Sequence, residues 1–182
     1  VSNRTTSNVF QLFRDVHLPV AFRQQLSEDS FLAERTSQYL LEVVTRRLGA
    51  GSIIERHPYL PKLHIFDRLV FELFLKTTGK KWRGEAIPVD DPLMKIEGNV
   101  AHLFDPHKPI HGQKSFHTIP LSDIFGEMHQ DAIEKTLATI ENLARRSFLT
   151  LERAYTLAGN FELVDKKIEV GVNAKGEVVI SD

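Results

Sequence analysis

An α+β fold follows from three features of this 182-residue chain: a long helical stripe in its last third, an alternating charged and apolar ladder behind it, and an apolar, β-branched run near residue 40. A helix of that length with a single apolar stripe packs across a sheet. The strands around it carry the charged positions.

The elements follow in chain order. Ser2 to Asp15 places Val9, Phe10, Leu12 and Phe13 at helical spacing, and His17-Leu18-Pro19-Val20 ends the helix. Phe22 to Arg35 alternates weakly around Ser27-Glu28-Asp29-Ser30, the pattern of a hairpin in a small sheet. Tyr39 to Thr45 (Y-L-L-E-V-V-T) is a strand with Glu42 embedded in it, a carboxylate that is either paired or functional. Arg46 to Ser52 reads as the turn that follows. Ile65 to Lys76 is apolar enough for a buried strand pair or one bent strand. From Thr77 to Leu121 the composition shifts to Gly, Pro, His and Asp, and an extended excursion with few core anchors is expected. Ser122 to Ala158 is the clearest helix. Ile133, Leu137, Ile140, Ala144, Phe148, Leu151, Tyr155 and Ala158 recur at helical spacing, Ser122 or Asp123 caps the start, and Gly159-Asn160 stops it.

Leu163 to Asp182 forms an alternating hairpin turned at Asn173 to Gly176. Successive strand side chains face opposite ways, so Asp165, Lys167 and Glu169 share a polar face while Val164, Ile168 and Val170 share the apolar one. A tight turn pairs Val172 with Glu177, Glu169 with Ile180 and Lys167 with Asp182, which makes Glu169 and Asp182 diagonal neighbours. Two hard oxygen donors beside a lysine suit Mg2+ bridging phosphate oxygens, because magnesium takes only one or two protein carboxylates. The same pattern also describes an ordinary hairpin with a solvated charged face.

The second chemical feature is R-R-L-G-A-G-S at 46 to 52. Arginine binds phosphate bidentately and glycine-rich turns expose amides, so this stretch suits a phosphomonoester as well as it suits a surface turn with paired arginines. It is neither a Walker loop nor a dinucleotide fingerprint. No G-x-S-x-G elbow surrounds any serine. His102, His107, His111 and His117 crowd one stretch without a carboxylate at fixed spacing, which is weak evidence for zinc. Lys80-Lys81-Trp82-Arg83 reads as a solvated basic loop, with no role for Trp82.

Composition narrows the classes. Lys and Arg total 23 against 24 Asp and Glu, so a net charge of -1 gives no global attraction to nucleic acid or anionic membrane. Any anion site is local. There is no cysteine, which excludes disulfides and thiolate metal sites. No apolar run is long enough for a transmembrane helix, and the first residues lack a secretory layout. The expected compartment is the cytoplasm.

Three blocks in this order, L-E-V-V-T-R-R-L-G-A-G-S at 41 to 52, E-L-F-L-K at 72 to 76, and L-V-D-K-K-I-E-V-G at 163 to 171 followed by G-E-V-V-I-S-D, resemble the phosphoribosylaminoimidazole-succinocarboxamide synthase (SAICAR synthetase) family. The resemblance runs from Ser2-Asn3-Arg4 to Asp182. It implies a two-lobed fold related to ATP-grasp enzymes and an ATP-dependent ligase that joins L-aspartate to carboxyaminoimidazole ribonucleotide. By that resemblance Glu169 and Asp182 hold Mg2+, and Arg46 with Ser52 grips the ribonucleotide phosphate. Lys76 and Lys167 lie near nucleotide and substrate, Asp165 helps place the substrates, and Glu42 and Gln38 border the ATP cleft. Thr36 to Tyr39 would meet the adenine through backbone atoms. Asp91 is the candidate acidic substrate contact, displaced from the family pattern by the inserted Thr77 to Trp82.

The family also has a glycine-rich, lysine-bearing strand pair over the ATP phosphates and a later segment with a serine and an arginine for the substrate. Neither is found here, so the chain is expected to be an internal piece of the pattern, with residues 1–38 in an incomplete nucleotide-binding lobe and 39–182 in a larger lobe. Small molecules are the expected partners, and a homo-oligomer is compatible with them. A noncatalytic nucleotide-binding module and a small-molecule kinase of related fold are the alternatives.

Overall fold

The computed structural model describes residues 2–182, the side chain of Ser2 excepted. The order is α1 (Ser2–Asp15), β1 (Phe22–Gln25), β2 (Phe31–Ala33), β3 (Ser37–Leu48), α2 (Ser52–Arg56), β4 (Ile65–Leu75), β5 (Lys81–Trp82), β6 (Glu85–Ala86), β7 (Leu93–Glu97), β8 (Val100–Phe104), β9 (His117–Pro120), α3 (Ser122–Phe125), α4 (Gln130–Gly159), β10 (Asp165–Val172) and β11 (Val178–Ile180). A seven-stranded sheet has the order β11-β10-β3-β4-β7-β8-β9, with every neighbouring pair antiparallel. β1-β2 and β5-β6 form separate two-stranded hairpins.

Strand alternation gives the central sheet two different faces. On one, Leu41, Val43, Leu73, Leu75, Ile168 and Val170 join the main core with Ile140, Leu143, Ala144 and Leu151 of α4 and Phe10 and Phe13 of α1. Each of these Val, Leu, Ile and Phe side chains, fully buried, stabilises the fold by about 1.5–3 kcal/mol. On the other face, β3 carries Glu42, Val44 and Arg46. Their register partners are Glu169, Lys167 and Asp165 on β10 and Phe74, Glu72 and Val70 on β4. A small apolar cluster of Val44, Phe74 and Leu93 sits among these charges. The chemistry-bearing side chains therefore share one sheet face because they share one parity.

The first helix and the first hairpin lie where their patterns placed them. Ile65–Leu75 is one strand. Four expectations need correction. Arg46, Arg47 and Leu48 belong to β3 rather than to a turn, because Arg46 pairs with Asp165 and Val70 while the Arg47 N–H reaches the Val164 carbonyl at 2.9 Å. The turn is only Gly49 to Gly51, and Gly51 takes the left-handed φ of 64° that a side chain rarely adopts.

Residues 77–121 are not a coreless excursion. The β5-β6 hairpin stands apart, the β7-β8-β9 meander extends the sheet, and Trp82, Met94, Ala101, Leu103, Ile119 and Leu121 enter the main core. Strands of two to five residues offer too few alternations to stand out among Gly and Pro.

The helical stripe is likewise split. Gly126, at φ 68°, ends the four-residue α3, and α4 starts only at Gln130 with His129 as its N-cap, so neither Ser122 nor Asp123 caps the long helix. Its stop is as expected. Asn160 takes the left-handed conformation and donates its N–H to the Thr156 carbonyl at 2.9 Å.

The last hairpin closes one residue later than a tight turn would. Val172 pairs with Val178 and Val170 with Ile180, not Val172 with Glu177 and Glu169 with Ile180. Gly176, at φ 79°, inserts an extra residue; its N–H reaches the Asn173 carbonyl, and the Asn173 side chain accepts from the Glu177 N–H, both at 3.0 Å. Val170 and Ile180 consequently face the core together, both fully buried.

Candidate active site

Glu42 is the hub of a four-residue charge cluster. It is 8% exposed, and its Oε1 accepts from Lys76 Nζ and Lys167 Nζ, each at 2.6 Å. Lys76 also lies 2.8 Å from Glu169 Oε1. Burial pushes the Glu42 carboxyl up, but hydrogen bonds and charges from Lys167 and Lys76 outweigh it and hold the group below the usual carboxylate range. Hydrogen bonds to Glu169 and then Glu42 push the Lys76 ammonium above the usual lysine range. Three elements build the cluster: β3 supplies Glu42, β10 supplies Lys167 and Glu169, and the end of β4 supplies Lys76, whose N–H is fixed to the Leu40 carbonyl at 2.7 Å.

Further along the same face a second cluster surrounds Arg46. Its Nε donates to Glu72 Oε2 at 2.9 Å, Nη1 to Asp165 Oδ2 at 2.7 Å and to the Ala50 carbonyl at 3.1 Å, and Nη2 to Ser52 Oγ at 3.5 Å. Arg56, one turn beyond Ser52 on α2, donates Nη1 to Ser52 Oγ at 2.9 Å and Nη2 to Glu72 Oε1. The two guanidiniums beside Ser52 are therefore Arg46 and Arg56, not Arg46 and Arg47. Alternation sends Arg47 to the opposite face, where it grips Glu152 of α4 at 2.7 and 3.0 Å. Beside Arg56 and Glu72, β4 and β7 separate after two paired positions and leave a cleft of about 330 Å3. A larger groove of about 760 Å3 runs by Arg47 and Phe161 and contains no residue of either cluster.

The remaining predicted residues lie at the margins. Asp91 Oδ1 accepts at 2.8 Å from the N–H of Thr77, the residue after Lys76, which commits it to a loop beside that lysine. Gln38 bonds Thr36 at 2.8 Å and accepts from the Ser181 hydroxyl at 2.9 Å. Glu169 and Asp182 meet through their backbones, N–H to carbonyl at 2.8 Å. Asp182 lines an apolar cavity with Phe10, Phe13 and Lys166, whereas the Glu169 carboxylate is held by Lys76. Among the described residues no group of three or more His, Asp or Glu side chains is placed to hold a metal ion. A magnesium ion that takes one or two carboxylates and fills its shell with phosphate and water needs no such group. The closest lysine contacts on Glu42 and Glu169 run through Oε1, leaving the second oxygen of each as a donor of the right hardness.

The family model for SAICAR synthetase matches residues 1–88, which include Glu42, Arg46, Ser52, Arg56, Glu72 and Lys76. Over that stretch, a little under half of the chain, the sequence is similar to the SAICAR synthetase family. Similarity extends past that match: a phosphoribosylaminoimidazole-succinocarboxamide synthase of Roseiflexus castenholzii is 29% identical over 182 residues, covering 100% of this chain and 58% of that protein. Two solved SAICAR synthetases share the fold, one at TM-score 0.69 and 20% identity over 98% of this chain and 64% of its own. The other, in complex with ADP, gives TM-score 0.66 and 22% identity over 98% and 60%. Among curated relatives of the family, the chain spans from 36% to 59% of the length of the first three it matches.

Sequence reasoning missed Arg56 and Glu72. Both left a signal. Ser52 and Arg56 are four apart, the spacing of one helical face, and Glu72 interrupts the apolar run of β4 at the parity opposite Leu73.

Proposed function

We propose that the full-length protein carrying this chain is an ATP-dependent carbon–nitrogen ligase of de novo purine biosynthesis. It joins L-aspartate to carboxyaminoimidazole ribonucleotide and releases SAICAR, ADP and phosphate. One observation carries this reading: a lysine-rich charge cluster and an arginine–serine cluster lie on the same sheet face, suiting a nucleotide polyphosphate and a phosphomonoester side by side.

A carboxylate is a poor acyl donor, so ATP first phosphorylates the imidazole carboxylate. A carboxylate oxygen bonds to the γ-phosphorus as the bond to ADP breaks. Lys76 and Lys167 offset the negative charge spread over the transferring group. The neutral aspartate amine then attacks the acyl carbon, the C–O bond to phosphate breaks, and the amine proton leaves to solvent. Asp165 helps place the substrates and Arg46 with Ser52 grips the ribonucleotide phosphate. Glu42 and Gln38 border the nucleotide, and Asp91 contacts substrate. Magnesium would be held by Glu169 with the free oxygen of Glu42, rather than by Asp182, and would neutralise phosphoryl oxygens.

In this reading residues 1–38 belong to the nucleotide-binding lobe and 39–182 to the larger lobe, and the enzyme works in the cytoplasm on small molecules. No helix among the described residues is long and apolar enough to cross a membrane. The test is mass analysis of full-length protein reactions containing MgATP and carboxyaminoimidazole ribonucleotide, with and without L-aspartate. An aspartate adduct with stoichiometric ADP is expected. ADP without adduct, or a phosphorylated product as the end point, would replace the ligase with a kinase.

A further inference from the structure

We infer that Arg56 is a positioning residue that sets the Ser52 hydroxyl as a hydrogen-bond donor to a phosphomonoester, acting through Ser52 rather than by touching the ligand. The identity of the ligand rests on the ligase reading; the wiring of the hydroxyl does not.

A serine hydroxyl has two acceptor lone pairs and one donor proton, and a guanidinium has only donors. Ser52 Oγ receives Arg56 Nη1 at 2.9 Å and Arg46 Nη2 at 3.5 Å, so both lone pairs are directed at arginines. Its proton is left over. Among the described residues Ser52 Oγ donates to no protein acceptor, and the proton is available to an anion lying over the Gly49 to Gly51 turn.

Arg56 cannot meet that anion itself. Its side chain is 1% exposed, and Nη1 also donates to the Pro106 carbonyl at 3.1 Å while Nη2 donates to Glu72. Glu72, 11% exposed, takes one guanidinium on each oxygen and so fixes the planes of Arg46 and Arg56 together. The backbone adds a tether, because the Ile110 N–H donates to the Arg56 carbonyl at 3.0 Å. Charge within the cluster is balanced unevenly. Glu72 is the buried counter-ion and Asp165, with a side chain 44% exposed, is the solvated one. An incoming phosphate can displace the solvated Asp165 from Arg46 while the buried Arg46–Glu72 pair stays intact.

The test is calorimetric titration of the full-length protein with ribose 5-phosphate, and separately with L-aspartate as the other anionic probe. Wild type, Ser52→Ala, Arg56→Lys and the double variant are compared, each checked for its melting temperature. Losing one charge-assisted donor corresponds to weakening by about tenfold. Ser52→Ala and Arg56→Lys should each weaken ribose 5-phosphate by about that factor, with the double variant no weaker than Ser52→Ala alone, because the arginine acts through the serine. Glu72→Gln, which loosens both guanidiniums, should behave like Arg56→Lys and serves if that variant does not fold. Multiplying losses in the double variant would show a merely structural arginine and overturn the inference. So would coupling seen with L-aspartate and not with ribose 5-phosphate. The titration needs neither ATP nor ligation, so intact coupling in a protein that forms no adduct would sink the ligase reading and leave this inference standing.

Discussion

Lys76 and Glu42 meet at 2.6 Å, ammonium to carboxylate, where β4 leaves the sheet beside β3. The pair joins the point at which the chain departs toward residues 77–121 to the buried carboxylate at the centre of the site. Lys76 neutralises Glu42 in the fold, and in the proposed reaction it also supplies charge to a phosphate. Removing it leaves Glu42 with Lys167 alone.

Lys76→Met should therefore abolish turnover in the full-length protein and destabilise the chain by roughly 1–3 kcal/mol, below the cost of stranding a fully buried charge because the Lys76 side chain is 34% exposed and Lys167 remains. Urea denaturation of the variant and a single-turnover ADP assay read the two effects separately. Stability unchanged within error would mean that Lys167 alone suffices for Glu42.

The acid limb of stability should depend on Glu42. Its folded carboxyl lies below the usual range, so its contribution is present above the unfolded pKa and is lost as pH falls through the depressed folded value. Urea midpoints measured from pH 6 down to pH 3 should fall less steeply in Glu42→Gln than in wild type. A parallel pair of curves would mean that the carboxyl is not held down by its lysines.

Lys166 behaves in the opposite sense. Burial pulls its ammonium down to about 7, with Nζ directed at Ser147 Oγ and stacked 5.4 Å from the Phe13 ring centroid. Between that value and the unfolded lysine pKa the unfolded chain binds more protons, so stability rises with pH at up to about 1.4 kcal/mol per unit. Lys166→Met should flatten urea midpoints between pH 7 and 9 and raise them at pH 7. A slope that persists in the variant would assign it to another group.

Gly171 allows β10 to lie close to β3 next to Glu169. A Cβ there would come within 2.8 Å of the Ser37 carbonyl, a backbone atom that cannot swing aside. Gly171→Ala should cost roughly 1–3 kcal/mol, the usual range for overpacking. In full-length protein it should raise the KM for MgATP by moving Glu169. A fully stable variant would show that the strands can slide apart at this bulge.

Much of this arrangement was legible because it depends on parity. Alternation alone put Asp165, Lys167 and Glu169 on one face, and Glu42 in β3 had to meet a partner once its strand was buried. Cross-strand partners were not legible, since register depends on turns. One extra residue at Gly176 moved Ile180 from Glu169 to Val170, and two residues more of strand carried Arg47 to the far side. Arg56 and Glu72 escaped for a related reason: their meaning lies in the atoms they share with Arg46 and Ser52, which are far apart in the chain and adjacent only in the fold.

The most direct test of the account follows oxygen. Carboxyaminoimidazole ribonucleotide labelled with 18O in its carboxylate is turned over by the full-length protein with MgATP and L-aspartate, and the released inorganic phosphate is analysed by mass. An acyl phosphate places one carboxylate oxygen on that phosphate, so a gain of one 18O per adduct is predicted, absent in Lys76→Met. Adduct formation with unlabelled phosphate would contradict the phosphoryl-transfer step, and no adduct from a folded, ATP-binding protein would contradict the ligase itself.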